Sequence, residues 1–322
     1  MKKALVVGLN DYPNCPLSCC VNDAKEVADL LGRNQDNSKN FDVQTYLNSI
    51  NKNDLLYKIQ ELFKYPNDVA LLYFSGHGYV YNNNSYIVTT DVSPDNYGID
   101  FNTLLTIVNN SPVKNKIIIL DSCFSGGMGS SSVFGNTNVF ISEGTTILTA
   151  SRNDEVSVEH NQHGLFTMLL IEALKGGAAD ILGNVTLGSI YSYIDRSLGA
   201  WQQRPLFKTN VSTFLSLRQV NPAIPQECLR NLTQYFSFPH EVLALNPSFE
   251  FTNSPTENHS IIEPYAIEDN VKIFKNLQLM EGVGLVEPVG EQHMYFAAMH
   301  SKGCQLTPLG RYFWSLVKNN KI

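Results

Sequence analysis

Two short segments hold residue types that can do covalent chemistry. The first is Tyr73-Phe74-Ser75-Gly76-His77-Gly78, and the second is Leu120-Asp121-Ser122-Cys123-Phe124-Ser125-Gly126-Gly127. A cysteine thiolate is a strong nucleophile, and an imidazole within reach supplies the proton acceptor that makes it one. Acyl transfer also needs hydrogen-bond donors aimed at the oxyanion that develops on the attacked carbonyl. Gly78 lets the backbone approach closely and offers an N–H, and the N–H of Cys123 is the natural second donor. Gly126 and Gly127 let the chain turn away and leave the sulfur open. Either segment alone is weak evidence, because a lone Cys or His is ordinarily a packing or hydrogen-bonding residue. A serine mechanism would need Gly-x-Ser-x-Gly, which does not occur.

Each segment begins at the end of a largely apolar run that reads as a strand buried on both faces, residues 68–75 and 116–121. Ligands of open α/β sheets sit beyond the carboxyl ends of the strands. Neighbouring strands of one sheet therefore bring His77 and Cys123 together. Further strands are predicted over 3–9, 42–47, 145–150 and 213–217, and a hairpin over 79–88. Helices are predicted over 22–31, 54–63, 101–108, 165–174 and 187–198. The alternation specifies an α/β sandwich on a mostly parallel sheet. Residues 124–144, rich in Gly, Ser and Asn, read as a mobile loop of the kind that serves function.

Beyond about residue 220 the texture changes, with Pro222, Pro225, Pro239, Pro247, Pro255 and Pro264 in succession. A linker is placed at about 218–228 and a second domain at 221–322. Its predicted elements are a helix from 268 to about 280, a two-stranded ribbon from 284–289 and 293–299, and a last helix over 307–318. That helix has Thr307 as N-cap and Pro308 at the favoured first position. The order resembles the tail of a winged-helix domain.

The chain has 322 residues and a formal net charge of −7, so it exerts no general pull on nucleic acid or anionic lipid. Residues 221–322 carry seven basic and ten acidic side chains, a balance that disfavours DNA binding even for a winged helix. No apolar run approaches bilayer length, and the apolar stretch at residues 4–9 lacks a signal-peptide cleavage site. Neither a membrane nor a nucleic acid is expected as partner. Six cysteines form no disulfide framework, which fits a reducing cytoplasm. Cys15, Cys19 and Cys20 lack a second ligand pair for zinc and read as small core residues. His160 and His163 read as loop residues, with no carboxylate pattern for metal binding.

The pair Ser75-Gly76-His77-Gly78 and Asp121-Ser122-Cys123-Phe124-Ser125-Gly126 resembles the caspase and metacaspase peptidases, nearest to the metacaspase-like members. Leu17 to Ala24, Thr149 to Glu155 and His163-Gly164-Leu165-Phe166-Thr167 extend the resemblance over roughly 1–217. It implies a three-layer sandwich on a six-stranded sheet and a protein or peptide substrate. It also implies a Cys123–His77 dyad, with Gly78 and Cys123 forming the oxyanion hole. In metacaspase-like enzymes an aspartate two residues before the cysteine and another at the first helix hold a basic side chain. Here these are Asp121 and Asp23, which implies cleavage after Arg, then Lys. The plainer alternative is that Asp23 caps its helix and Asp121 closes its strand. No cofactor is implied; some metacaspases need calcium, and no calcium-loop signature is present. Caspase-like enzymes with appended modules are frequent in bacteria, where some resemble effectors of antiviral defence. Residues 221–322 are accordingly expected to meet an activating or regulatory protein, or simply to cover the peptidase. A non-catalytic caspase-fold adaptor and a DNA-binding regulator are the rival readings.

Overall fold

The computed structural model describes residues 1–322 except 49, 83, 123, 126–139, 151–162, 199–204 and 256–260; of residues 124 and 125 it describes the backbone alone. The chain divides into two compact units, Met1–Asn221 and Pro222–Ile322.

The first unit runs β1 (Lys2–Gly8), α1 (Cys20–Gly32), β2 (Asp42–Leu47), α2 (Lys52–Lys64) and β3 (Val69–Ser75). Three short strands follow, β4 (Gly78–Tyr81), β5 (Asn84–Ile87) and β6 (Ile99–Asp100), then α3 (Phe101–Asn109) and β7 (Asn115–Asp121). Next come β8 (Phe124–Ser125), β9 (Thr145–Thr149) and α4 (Leu165–Glu172), the last prolonged by a π-helical turn, Ala173–Gly177. The unit closes with β10 (Asn184–Thr186), α5 (Leu187–Ser197), β11 (Leu206–Asn210) and β12 (Ser216–Gln219).

Six strands form one sheet in the order β11-β9-β7-β3-β1-β2. All neighbours are parallel except the edge pair β11–β9. All seven residues of β3 are buried, as a central strand covered on both faces requires. The pleat sorts them: Val69, Leu71 and Tyr73 join a core that includes Ala24 and Val27 of α1 and Leu170 of α4. Ala70, Leu72 and Phe74 join the opposite core with Leu55 and Ile59 of α2 and Leu104 of α3. Fully burying one such side chain contributes on the order of 1.5–3 kcal/mol, so the two apolar cores fix the sheet and therefore the positions of its strand ends. This is the three-layer, mostly parallel six-stranded sandwich expected.

One expected strand is corrected. The sixth strand of the sheet is Leu206–Asn210, and 213–217 is not its source. Ser216–Gln219 instead pairs with β10 in a separate antiparallel ribbon. Strand β11 carries no fully buried residue, so it has no apolar alternation to announce it.

The second unit runs α6 (Gln226–Arg230), α7 (Leu232–Tyr235), β13 (Val242–Ala244), a 3-10 turn at Pro247–Phe249, α8 (Glu268–Gly282), β14 (Val286–Val289), α9 (Met294–Met299), β15 (Gly303–Leu306) and α10 (Pro308–Lys318). Its antiparallel sheet has the order β13-β15-β14. Thr307 caps α10, its hydroxyl accepting from the Gly310 N–H. The ribbon is corrected too: residues 294–299 are helical, and the partner of β14 is β15. Met294, Ala297 and Ala298 are buried, an i, i+3, i+4 spacing that belongs to a helix.

Candidate active site

Strands β3 and β7 pair in register from Val69↔Asn115 to Ser75↔Asp121, so their carboxyl ends finish level. The Gly76 N–H donates to the Asp121 carbonyl at 3.2 Å and continues the pairing one step beyond β3. His77 and Cys123 each stand two positions past a paired residue. Further on, Gly78 of β4 pairs with Phe124 of β8. Cys123 itself lies outside the described residues, as does His160.

Gly76 is needed where it stands, because a Cβ there would lie 2.5 Å from the Tyr12 hydroxyl and 2.8 Å from the Phe74 ring. That close approach seats His77. Its backbone N–H donates to the Tyr12 hydroxyl at 3.0 Å, and the hydroxyl donates to the Val88 carbonyl at 3.1 Å. The Tyr12 and His77 rings lie 4.5 Å apart, centroid to centroid. Burial pushes the Tyr12 phenol well up, so it remains a neutral hydrogen-bonding group. The His77 Nε2 is 2.7 Å from the carbonyl oxygen of Cys15. A carbonyl only accepts, so Nε2 carries the hydrogen and Nδ1 is left with a free lone pair in the neutral ring. Cys15 is exposed, unlike the buried Cys19 and Cys20, which corrects the expectation that all three are core residues. Gly78 is opposite Ile87 in β5, while the Val88 N–H donates to the His77 carbonyl. In that register the Gly78 N–H points away from β5, towards the side on which β8 runs.

The two aspartates come together from different elements. Helix α1 rests directly on Gly8, where a Cβ would meet the Cys20 carbonyl oxygen at 2.2 Å and the Ala24 Cβ at 2.6 Å. This contact holds the first turn of α1, and with it Asp23, over the end of the sheet. Asp23 is 1% exposed, which for a carboxylate demands partners. The Ser75 hydroxyl donates to its Oδ2 at 3.3 Å, and the His163 Nδ1 lies 2.7 Å from its Oδ1. The Gly164 N–H also donates to it. Asp121 accepts the Thr167 hydroxyl at 2.5 Å and the Thr167 N–H, and the Tyr73 hydroxyl is 2.6 Å from the Thr167 Oγ1. A Cβ on Gly164 would lie 3.3 Å from Asp121 Oδ2 and 3.7 Å from Asp23 Oδ2, so one small residue stands between the two carboxyl groups.

Burial raises the Asp121 carboxyl, and the neighbouring Asp23 charge raises it further, to about 7. Burial raises Asp23 as well, opposed by His163 and the other donors. Burial, reinforced by the neighbouring carboxylate, thus favours the protonated form of Asp121. Such a pair suits a cation, which displaces the proton and restores the second charge.

His163 precedes α4, outside the helix as expected, and is also part of the cluster. Sequence reasoning passed over it because its partner is 140 positions away, and it passed over the Cys15 carbonyl because a backbone contact has no residue-type signal.

A model of the caspase domain matches residues 1–220. No curated protein matches the chain. Among solved structures, a Geobacter sulfurreducens protein determined as a structural-genomics target is 19% identical, covering 69% of this chain and 98% of its own, with a TM-score of 0.49. Caspase-1 from Spodoptera frugiperda is 14% identical, covering 68% of this chain and 90% of its own, with a TM-score of 0.46. The caspase-domain match takes in the whole sheet and both strand ends that carry the site, and this chain therefore belongs to the caspase-domain family of cysteine peptidases.

Proposed function

We propose that the protein is an endopeptidase that cleaves after basic residues, Arg before Lys, through a thioacyl intermediate on Cys123. His77 takes the thiol proton at Nδ1 and returns it to the leaving amine. The N–H groups of Gly78 and Cys123 hold the oxyanion. Asp23 and Asp121 receive the basic side chain. The observation that carries this reading is the level ending of β3 and β7, with Ser75 opposite Asp121 and Gly78 opposite Phe124. Those pairs flank residues 77 and 123 in sequence on both sides. The basic preference is supported by a carboxyl pair so buried that one member resists ionising until about pH 7.

The second unit, with its helices and small antiparallel sheet, is proposed as a winged-helix-like module that meets a regulatory protein, in an effector acting in the cytoplasm. Fluorogenic peptides differing only at the cleaved position test the preference. Arg is expected to turn over fastest, and faster turnover after Asp overturns it. Loss of all cleavage in Cys123→Ala tests the nucleophile. Persistence of the protein's cellular effect in that variant would favour an adaptor working through residues 222–322.

A further inference from the structure

Beyond the dyad and the two aspartates, one side chain is built into the site without a role in that account. The His163 Nδ1 lies 2.7 Å from Asp23 Oδ1, and its Nε2 lies 3.1 Å from Glu26 Oε2. Asp23 and Glu26 are three positions apart on α1 and so share a face of it. Glu26 is held in turn by Lys175, whose Nζ lies 2.8 Å from Oε1, and Lys175 also pairs with Glu172 at 3.3 Å. His163 is largely covered, with 18% of its side chain exposed, and it closes Asp23, at 2%, off from solvent. Its outer edge lines an open cleft with Asn22, Lys25, Glu26, Asp29 and Leu30.

We infer that His163 is a positioning residue for the specificity pocket, donating from Nδ1 to Asp23 so that this buried carboxylate stays ionised and faces Asp121. The inference rests on the proposed preference for basic side chains. A carboxylate this buried keeps its charge only through its donors, and here they are His163, Ser75 and the Gly164 N–H. Without the imidazole, Asp23 and Asp121 are left to share a proton more firmly. The pocket then loses negative charge and holds an arginine less well, while a neutral side chain of the same shape is unaffected. Glu26 and Lys175 set the ring from the far side and do not touch the pair.

The side-chain amide of asparagine reaches about as far as Nδ1 of histidine, and that of glutamine about as far as Nε2. His163→Asn therefore keeps the donor to Asp23, whereas His163→Gln carries its amide past Asp23 towards Glu26. The test uses full-length Cys123→Ala protein, which binds without cutting, and calorimetric titration with a peptide carrying Arg at the cleaved position and with its citrulline counterpart. Against the His163 parent, His163→Ala is expected to weaken the Arg peptide about tenfold, the scale of one hydrogen bond to a charged group. His163→Asn is expected to restore most of that affinity and His163→Gln little, with citrulline affinity constant throughout. Unchanged Arg affinity in His163→Ala, parallel loss for Arg and citrulline, or equal rescue by Gln would each overturn the inference. Should the Ala variant not fold, the Asn–Gln contrast decides alone. A parent that fails to prefer Arg over citrulline refutes the basic preference itself and the role of His163 with it, and that result is read before any substitution at 163.

Discussion

The His77 Nε2 sits 2.7 Å from the carbonyl oxygen of Cys15, a residue 62 positions earlier in the chain. The tautomer of the neutral His77 ring is therefore set by the loop between β1 and α1. That loop also supplies Tyr12, whose ring packs on the imidazole and whose hydroxyl takes the His77 N–H.

Tyr12→Phe keeps the ring contact and removes the hydroxyl. The His77 N–H and the Val88 carbonyl then lose a buried partner, which costs about 1–3 kcal/mol. Urea unfolding is expected to show a loss of that size. Steady-state kinetics are expected to show a lower kcat with KM little changed, because the proposed base and not the proposed pocket is displaced. A variant as stable and as active as the parent would mean that the Cys15 contact holds His77 unaided.

A second prediction concerns pH and Asp121. Its carboxyl titrates near 7 in the folded chain and near 3.8 when unfolded. Across that interval the folded state keeps a proton that the unfolded state has released. The stability it contributes is full below the lower value and is lost as pH rises through about 7. Asp121→Asn cannot ionise, so it escapes this loss while its side-chain oxygen still accepts from Thr167. The stability of Asp121→Asn relative to the parent is expected to be greater at pH 8 than at pH 5. Denaturant melts of both proteins at the two pH values measure it, and an equal difference at each would contradict the raised carboxyl.

The central part of this architecture was legible because burial writes itself into sequence. Residues 69–74 and 117–120 are continuous apolar runs, and they proved to be the middles of the paired central strands whose ends carry the candidate site. Helix α1 was legible from the spacing of Ala24, Val27, Ala28 and Leu31, whereas Asp23 was singled out only by the family resemblance. The failures have equally physical causes. Strand β11 is half-buried at best, and β12 drew attention instead through the fully buried Leu217. Residues 293–299 are predicted as the second strand of a ribbon, although Met294, Ala297 and Ala298 follow helical spacing. The cluster around Asp23 depends on chain reversals that no local pattern encodes.

Thr167 links two buried groups, donating to Asp121 and lying 2.6 Å from the Tyr73 hydroxyl. Thr167→Val preserves the shape and removes both contacts, and is expected to cost about 1–3 kcal/mol. Tyr73→Phe removes one of them. The double variant is expected to cost less than the two singles together, because the bonds belong to one chain. The Asp121 carboxyl loses a donor that holds it down, so the pH dependence described above should move to higher pH in Thr167→Val. A double-mutant cycle by chemical unfolding, repeated across pH, checks both points.

The final prediction concerns maturation. Residues 117–151 contain no Lys or Arg, so a peptidase specific for basic residues finds no site in its own residues 124–144. The nearest basic residue on the amino side, Lys116, is 4% exposed, and its Nζ donates to the Ser142 hydroxyl at 3.0 Å and to the Glu143 carbonyl at 2.7 Å. A substrate must be extended and accessible, and this lysine is fixed within β7, so cleavage there would require the sheet to open. The active protein is therefore expected to remain uncut across 117–144, and activation must come from ordering or association and not from scission at that place. Intact-mass analysis of the chain after incubation under conditions where it cleaves an Arg peptide measures this directly. Fragments meeting within 124–144 would overturn the proposed specificity, since no basic residue there could have directed the cut.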